Sequence, residues 1–204
     1  MKKNSVKFCP LVVDVPGPSL DDATRLHLAR YGFAGVCLFR KNIQDRRQLA
    51  RLVGEIREVL GPQALIAIDQ EGGAVLRTTD LPEAPSAMAL GATDDPALAQ
   101  AVGAVVGREL MALGINWNYA PVLDVNTDPR NPVIGDRSFG SDPAKVAELG
   151  LAWARGLEQA GVMACVKHFP GHGDTHLDSH LALPVVRKPR ERLGAVEFNP
   201  FRRA

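Results

Sequence analysis

Ala64-Leu-Ile-Ala-Ile-Asp-Gln-Glu-Gly-Gly73 decides the fold class. Five apolar residues run without a break and then give way to an acid, an amide, a second acid and two glycines. A short apolar run bounded by turn residues fits a buried strand, and lack of polar alternation points to a parallel sheet covered on both faces. The polar string after it then lies in a loop at the strand's carboxyl end.

The same form recurs along the chain, in Leu11-Val-Val-Asp14, Gly35-Val-Cys-Leu-Phe39, Ala120-Pro-Val-Leu-Asp124 and Val162 to Lys167. Between these runs, Leu49, Leu52, Val53, Ile56, Val59 and Leu60 repeat at helical spacing until Gly61-Pro62 ends the pattern. Leu98, Ala101, Val102, Val105, Leu110 and Leu113 do so before Gly114, and Val146, Leu149, Trp153, Leu157 and Ala160 before Gly161. Asp94 or Asp95 ahead of Pro96, and Ser141 or Asp142 ahead of Pro143, read as N-caps followed by a helix-starting proline. The periodicity predicts about five strands and four complete helices in alternation. A doubly wound open sheet and part of an eight-stranded barrel both fit that order. Each puts its site at the strand ends where Asp69, Asp124 and Lys167-His168 stand.

The chain of 204 residues, 46% hydrophobic and 23% charged, is long enough for one sizeable core. Its 24 basic and 23 acidic side chains are spread along the sequence, which speaks against nucleic acid or an anionic membrane as partner and for a neutral or small substrate. No segment approaches the ~20 apolar residues of a membrane span, and the run after Lys2-Lys3 is too short for a signal peptide. The expected setting is the cytoplasm, with Cys9, Cys37 and Cys165 as reduced thiols lacking metal-ligand spacing.

Lys167-His-Phe-Pro-Gly-His-Gly-Asp-Thr-His-Leu-Asp-Ser-His180 holds four of the five histidines. On a helix their four-residue spacing would line one face and suggest a metal site, but Pro170, Gly171 and Gly173 argue for a loop, where that spacing loses its meaning. Within it, Asp178 could hold one ring nitrogen of His180 and leave the other to exchange a proton with a substrate; a turn aspartate beside an exposed histidine is the plainer alternative. Asp69-Gln-Glu-Gly-Gly73 with Arg77 is either turn chemistry or a ligand-gripping loop. Arg137, in Asn131-Pro-Val-Ile-Gly-Asp-Arg-Ser-Phe-Gly140, could fork onto an uncharged ligand or pair with Asp136 or Asp142.

Together, Asp69-Gln-Glu-Gly-Gly73, Ala120-Pro-Val-Leu-Asp-Val125, Gly135-Asp-Arg-Ser-Phe-Gly140 and Lys167 to His180 resemble glycoside hydrolase family 3, in particular its bacterial β-N-acetylglucosaminidases. The resemblance runs from about Leu11 to the end, where Phe198-Asn-Pro-Phe-Arg-Arg203 looks like the start of a further helix. It implies a (β/α)8 TIM-barrel type of α/β fold, present here as an incomplete barrel of about five βα units, with residues 1–204 forming the N-terminal part of the catalytic domain, truncated at its C-terminus. It also implies that Asp69, Arg77, Arg137, Lys167 and His168 bind sugar hydroxyls of a terminal N-acetylglucosamine, and that Asp178 and His180 are the acid/base dyad. The chemistry implied is double displacement with retention of configuration, with neither metal nor organic cofactor and with cell-wall muropeptide fragments among the candidate substrates.

Two departures stand out. Ala74 occupies a position where an arginine is common in the family, and no aspartate after His180 matches the family's nucleophile, since only Glu191 and Glu197 follow. The chain alone is therefore expected to lack normal turnover. A saccharide-binding fragment without chemistry and a His/Asp metallohydrolase are the alternatives.

Overall fold

Strands overlapping four of the five predicted apolar runs, with a fifth just ahead of the remaining run, lie side by side in chain order. The computed structural model describes residues 8–78, 80–176, 181 and 183–204. Its elements are β1 (Cys9–Val13), α1 (Asp22–Tyr31), β2 (Phe33–Leu38), α2 (Arg46–Leu60), β3 (Leu65–Ile68), α3 (Ala87–Thr93), α4 (Pro96–Ala112), β4 (Trp117–Asn118), α5 (Pro143–Gln159), β5 (Met163–Ala164), α6 (Arg190–Ala195) and α7 (Asn199–Arg203).

The sheet order is β1-β2-β3-β4-β5, and every neighbouring pair is parallel. This order separates the two architectures left open by the sequence. A doubly wound sheet reverses direction at a switch point and places ligands there, whereas strands added always on the same side are consecutive units of a barrel. The expected incomplete (β/α) barrel is the fold found.

The fourth strand differs from the expectation. It is Trp117–Asn118 and not Ala120–Asp124, because Pro121 has no N–H to give to a ladder. The later segment still hydrogen-bonds to its neighbour, with Cys165 N–H donating to the Ala120 carbonyl at 3.0 Å and Leu123 N–H to the Lys167 carbonyl at 2.7 Å. Asn118 is completely buried, and this polar interruption hides the short strand from an apolar-run reading.

The three helices whose apolar spacing was traced residue by residue form as α2, α4 and α5. Asp45 accepts from the amides of Arg47 and Gln48 at the start of α2, Asp95 caps α4 ahead of Pro96, and Asp142 caps α5 ahead of Pro143. On α2, Leu49, Leu52, Val53 and Ile56 are buried in a core shared with Val36, Leu38, Ile66 and Ile68 of the sheet. α1 escapes the pattern because Leu28 is its only buried residue. α7 begins at Asn199, within the stretch expected to start a helix.

α4 and α5 meet through glycine. A Cβ on Gly103 would stand 2.1 Å from the Trp153 carbonyl oxygen, and one on Gly156 2.0 Å from that of Gln100. The two backbones thus touch where side chains would hold ordinary helices 8–10 Å apart. No helix among the described residues is long and apolar enough to cross a membrane.

Candidate active site

Strand ends gather the polar residues at the carboxyl edge of the sheet. Asp69 follows β3 directly, and Gln70 beside it is buried and structural. Gln70 N–H donates to Asn118 Oδ1 at 2.9 Å while Asn118 Nδ2 returns a bond to the Gln70 carbonyl at 2.8 Å, so a side-chain amide prolongs the ladder between β3 and β4. Gln70 Oε1 then accepts from the backbone amides of Arg77 and Thr78 at 2.9 and 3.3 Å. These bonds fold the glycine loop back and carry Arg77 to Asp69.

Gly72 and Gly73 make that return possible, with φ of 107° and 56° in the region that side chains disfavour. A Cβ on Gly72 would also lie 2.4 Å from the Pro85 carbonyl oxygen. The acidic string is therefore a built loop that aims two carboxylates into one cavity.

That cavity, of about 370 Å³, is lined by Asp69, Glu71, Arg77, Arg137, Lys167, His168 and His172 with Val75 and Val133. Its volume falls within the range of small-molecule sites. Lys167 Nζ donates to Asp69 Oδ1 at 2.8 Å and pairs with Glu71. Arg77 Nη2 donates to Asp69 Oδ2 at 3.1 Å. Arg137 forks onto Glu71 with 2.8 Å bonds from Nε and Nη2, and its Nη1 donates to the Val133 carbonyl at 3.0 Å. Neither Asp136 nor Asp142 is its partner: Asp142 is occupied as the α5 cap, and a planar guanidinium gains most from a two-pronged carboxylate partner in a partly dry site.

Electrostatics follow from this arrangement. Burial pushes the Asp69 carboxyl up, yet Lys167 and Arg77 outweigh burial and hold it below the ordinary carboxylate value. Burial likewise works against the Arg137 cation, and Glu71 overcomes it, so the guanidinium stays charged. Beneath the site, burial pushes the Cys37 thiol up to about 11 and the Tyr119 phenol up to about 12, so both enter neutral chemistry only as uncharged groups.

Donor and acceptor capacity remains after these bonds. A carboxylate offers about four lone-pair positions, and Asp69 uses two on Lys167 and Arg77. An ammonium has three donors, of which Lys167 spends two on carboxylates. The cavity therefore presents acceptors and donors side by side, which suits adjacent hydroxyls that both give and take hydrogen bonds.

Among the described residues of the histidine stretch, 167–176 form no helix, as Pro170, Gly171 and Gly173 require. His168 Nδ1 lies 2.6 Å from Asp124 Oδ2, and its Nε2 lies 3.3 Å from Arg137 Nη2. His172 faces His168 edge-on at 6.0 Å, and its Nδ1 lies 2.7 Å from Thr175 Oγ1. Asn131 Nδ2 donates to the His172 carbonyl and to Thr175 Oγ1, sewing this loop to the one after β4. Gly173 fits closely, since a Cβ there would stand 1.8 Å from the Val125 carbonyl oxygen.

All five expected sugar ligands, Asp69, Arg77, Arg137, Lys167 and His168, thus line one cavity. The expected dyad of Asp178 and His180 lies outside the described residues. Glu71 was given no individual role from sequence, although it sits in the same polar string as Asp69, and Asp124 was placed at the site edge without a partner or a task. Among the described residues no three His, Cys, Asp or Glu side chains converge as metal ligands would.

Comparison with known proteins places these features. The beta-hexosaminidase of Alkalilimnicola ehrlichii is 41% identical over 202 residues, covering 95% of this chain and 58% of that protein. A glycoside hydrolase family 3 beta-N-acetylglucosaminidase from Paenibacillus sp. superposes with a TM-score of 0.90 at 43% identity, covering 97% of this chain and 38% of that one. NagZ from Neisseria gonorrhoeae in complex with N-trifluoroacetyl-D-glucosamine superposes with a TM-score of 0.92 at 36% identity, covering 97% of this chain and 60% of that one. The chain spans less than two thirds of the length of these relatives. The model of the glycosyl hydrolase family 3 N-terminal domain matches residues 6–204, and with the barrel order of its strands and the carboxylate–cation cavity at their ends, the chain belongs to glycosyl hydrolase family 3.

Proposed function

We propose that this chain is the sugar-binding and acid/base part of a retaining β-N-acetylhexosaminidase that removes terminal β-linked N-acetylglucosamine. The observation that carries this reading is the convergence of Asp69, Arg77, Arg137, Lys167 and His168 on one cavity with hydrogen-bonding capacity to spare. Relatives named beta-hexosaminidase and a neighbour bound to N-trifluoroacetyl-D-glucosamine support the choice of sugar.

In this reading Asp69 accepts hydrogen bonds from sugar hydroxyls while Lys167, Arg77 and Arg137 donate to them, each cation held in place by a carboxylate. His180, steered by Asp178, gives a proton to the leaving oxygen and afterwards takes one from water. A carboxylate nucleophile completes the double displacement, and this sequence holds no aspartate after His180 to serve as one. Glu197 is buried and ion-paired with Arg192, and Glu191 is exposed on α6. The 204-residue polypeptide by itself therefore binds sugar without turning it over, which is also the saccharide-binding alternative.

Calorimetric titration with N-acetylglucosamine, alongside hydrolysis of p-nitrophenyl N-acetyl-β-glucosaminide, tests both halves. Binding without burst or turnover is expected, and burst kinetics from this chain would refute the missing-nucleophile half. Action on cell-wall muropeptides in the cytoplasm extends the reading and rests on the resemblance.

A further inference from the structure

We infer that Asp124 is the positioning residue of the sugar site: it fixes His168 as the imidazole with its proton on Nδ1 and its lone pair on Nε2. The inference rests on the saccharide reading above for its function but not for its geometry.

Asp124 has no exposed surface and lies at the end of the apolar run that follows β4. Its Oδ2 accepts from His168 Nδ1 at 2.6 Å and from the His168 backbone amide at 3.2 Å, and its Oδ1 accepts from the His172 amide at 2.7 Å. Every group facing the carboxylate in these bonds is a donor. On the other side of the ring, Nε2 faces Arg137 Nη2 at 3.3 Å, and a guanidinium nitrogen can only donate. A ring nitrogen that accepts from Arg137 carries no proton, so the two neighbours select a single form of the ring.

Two consequences follow for the site. His168 holds its one acceptor at the cavity, where a sugar hydroxyl that donates to it takes the place of Arg137 Nη2. Arg137, whose other bonds go to Glu71 and Val133, has its remaining face oriented by that same lone pair. Asp124 thus reaches the sugar through His168 and Arg137 without lining the cavity itself, and through two backbone amides it sets where the histidine loop begins.

Long-range nitrogen–proton NMR of the imidazoles in the 204-residue chain, at a pH where histidines are neutral, reads the form directly. The His168 signals are assigned by their loss in His168→Gln. The expected result is a protonated Nδ1 and a bare Nε2, and a proton on Nε2 overturns the inference whatever the sugar affinity. Asp124→Ala is expected to release this preference and to weaken N-acetylglucosamine binding roughly tenfold or more, in keeping with loss of a charge-assisted bond. Should that variant fail to fold, Asp124→Asn serves: its Oδ1 can keep both His168 bonds while its amide faces the His172 N–H, so the ring form is retained and binding weakens less. A variant with an altered ring form but unaltered affinity overturns the functional half. If the wild type shows the expected ring form but binds no sugar, the saccharide reading fails and the geometric inference stands.

Discussion

Lys167 Nζ meets Asp69 Oδ1 at 2.8 Å across 98 residues of chain, joining the end of β5 to the end of β3. Both side chains are largely shielded, at 14% and 17% exposure, and Glu71 shares the same ammonium. Replacing the lysine leaves two shielded carboxylates short of a cation.

Lys167→Met is accordingly expected to destabilise the fold by about 3 kcal/mol, the lower end of the cost of breaking a buried pair, because some solvent still reaches it. Urea unfolding at neutral pH measures this. Asp69→Asn keeps the shape and a hydrogen-bonding group, so its loss of stability should be smaller while sugar binding falls by about tenfold or more, the worth of a bond to a charged group.

Acid should weaken the fold through the same carboxylate. The Asp69 value is lowered in the folded chain, so its contribution is complete above the ordinary aspartate value of about 3.9 and is lost as pH falls through the folded value. Denaturation midpoints of the wild type and Asp69→Asn, compared from neutral pH downward, should converge at the acid end. Curves that stay parallel would show that the Asp69 pairing contributes nothing to stability.

Glu71→Gln should uncouple Arg137. The glutamate takes two 2.8 Å bonds from the guanidinium and also neutralises it, whereas glutamine can accept at only one oxygen. Calorimetry should show N-acetylglucosamine binding weakened by about tenfold, as for other charge-assisted bonds.

Glycine substitutions separate helix propensity from packing. Gly54 on α2 has open space around its Cβ direction, so Gly54→Ala should stabilise by about 0.5–1 kcal/mol. Gly103 on α4 has the Trp153 carbonyl oxygen only 2.1 Å from that direction. There the same change must part α4 from α5, and overpacking of about 1–3 kcal/mol outweighs the propensity gain. Thermal melts of the two variants should move in opposite directions.

The sequence made legible what local chemistry decides. Asp95-Pro96 and Asp142-Pro143 marked helix starts because cap and proline act within one turn, and the apolar stripe of α2 announced its buried face. That Asp69 and Lys167-His168 would meet at one edge was legible because polar groups after apolar strands face the carboxyl end of the sheet. What stayed hidden depends on distant partners. Nothing near Arg137 in sequence names Glu71, which lies 66 residues away, and nothing near Asp124 says that its acceptors meet the amides of His168 and His172. The short β4 was missed because Asn118 is buried by its pairing with Gln70 and not by apolarity.

If Asp69, Lys167 and their partners form a sugar-binding site within this chain, isothermal titration of the folded 204-residue chain with N-acetylglucosamine reads it without any other component. Saturable one-to-one binding that is lost in Asp69→Asn is the result expected. A cooperatively melting chain that takes up no N-acetylglucosamine, or binds it equally well without the Asp69 carboxylate, would contradict it.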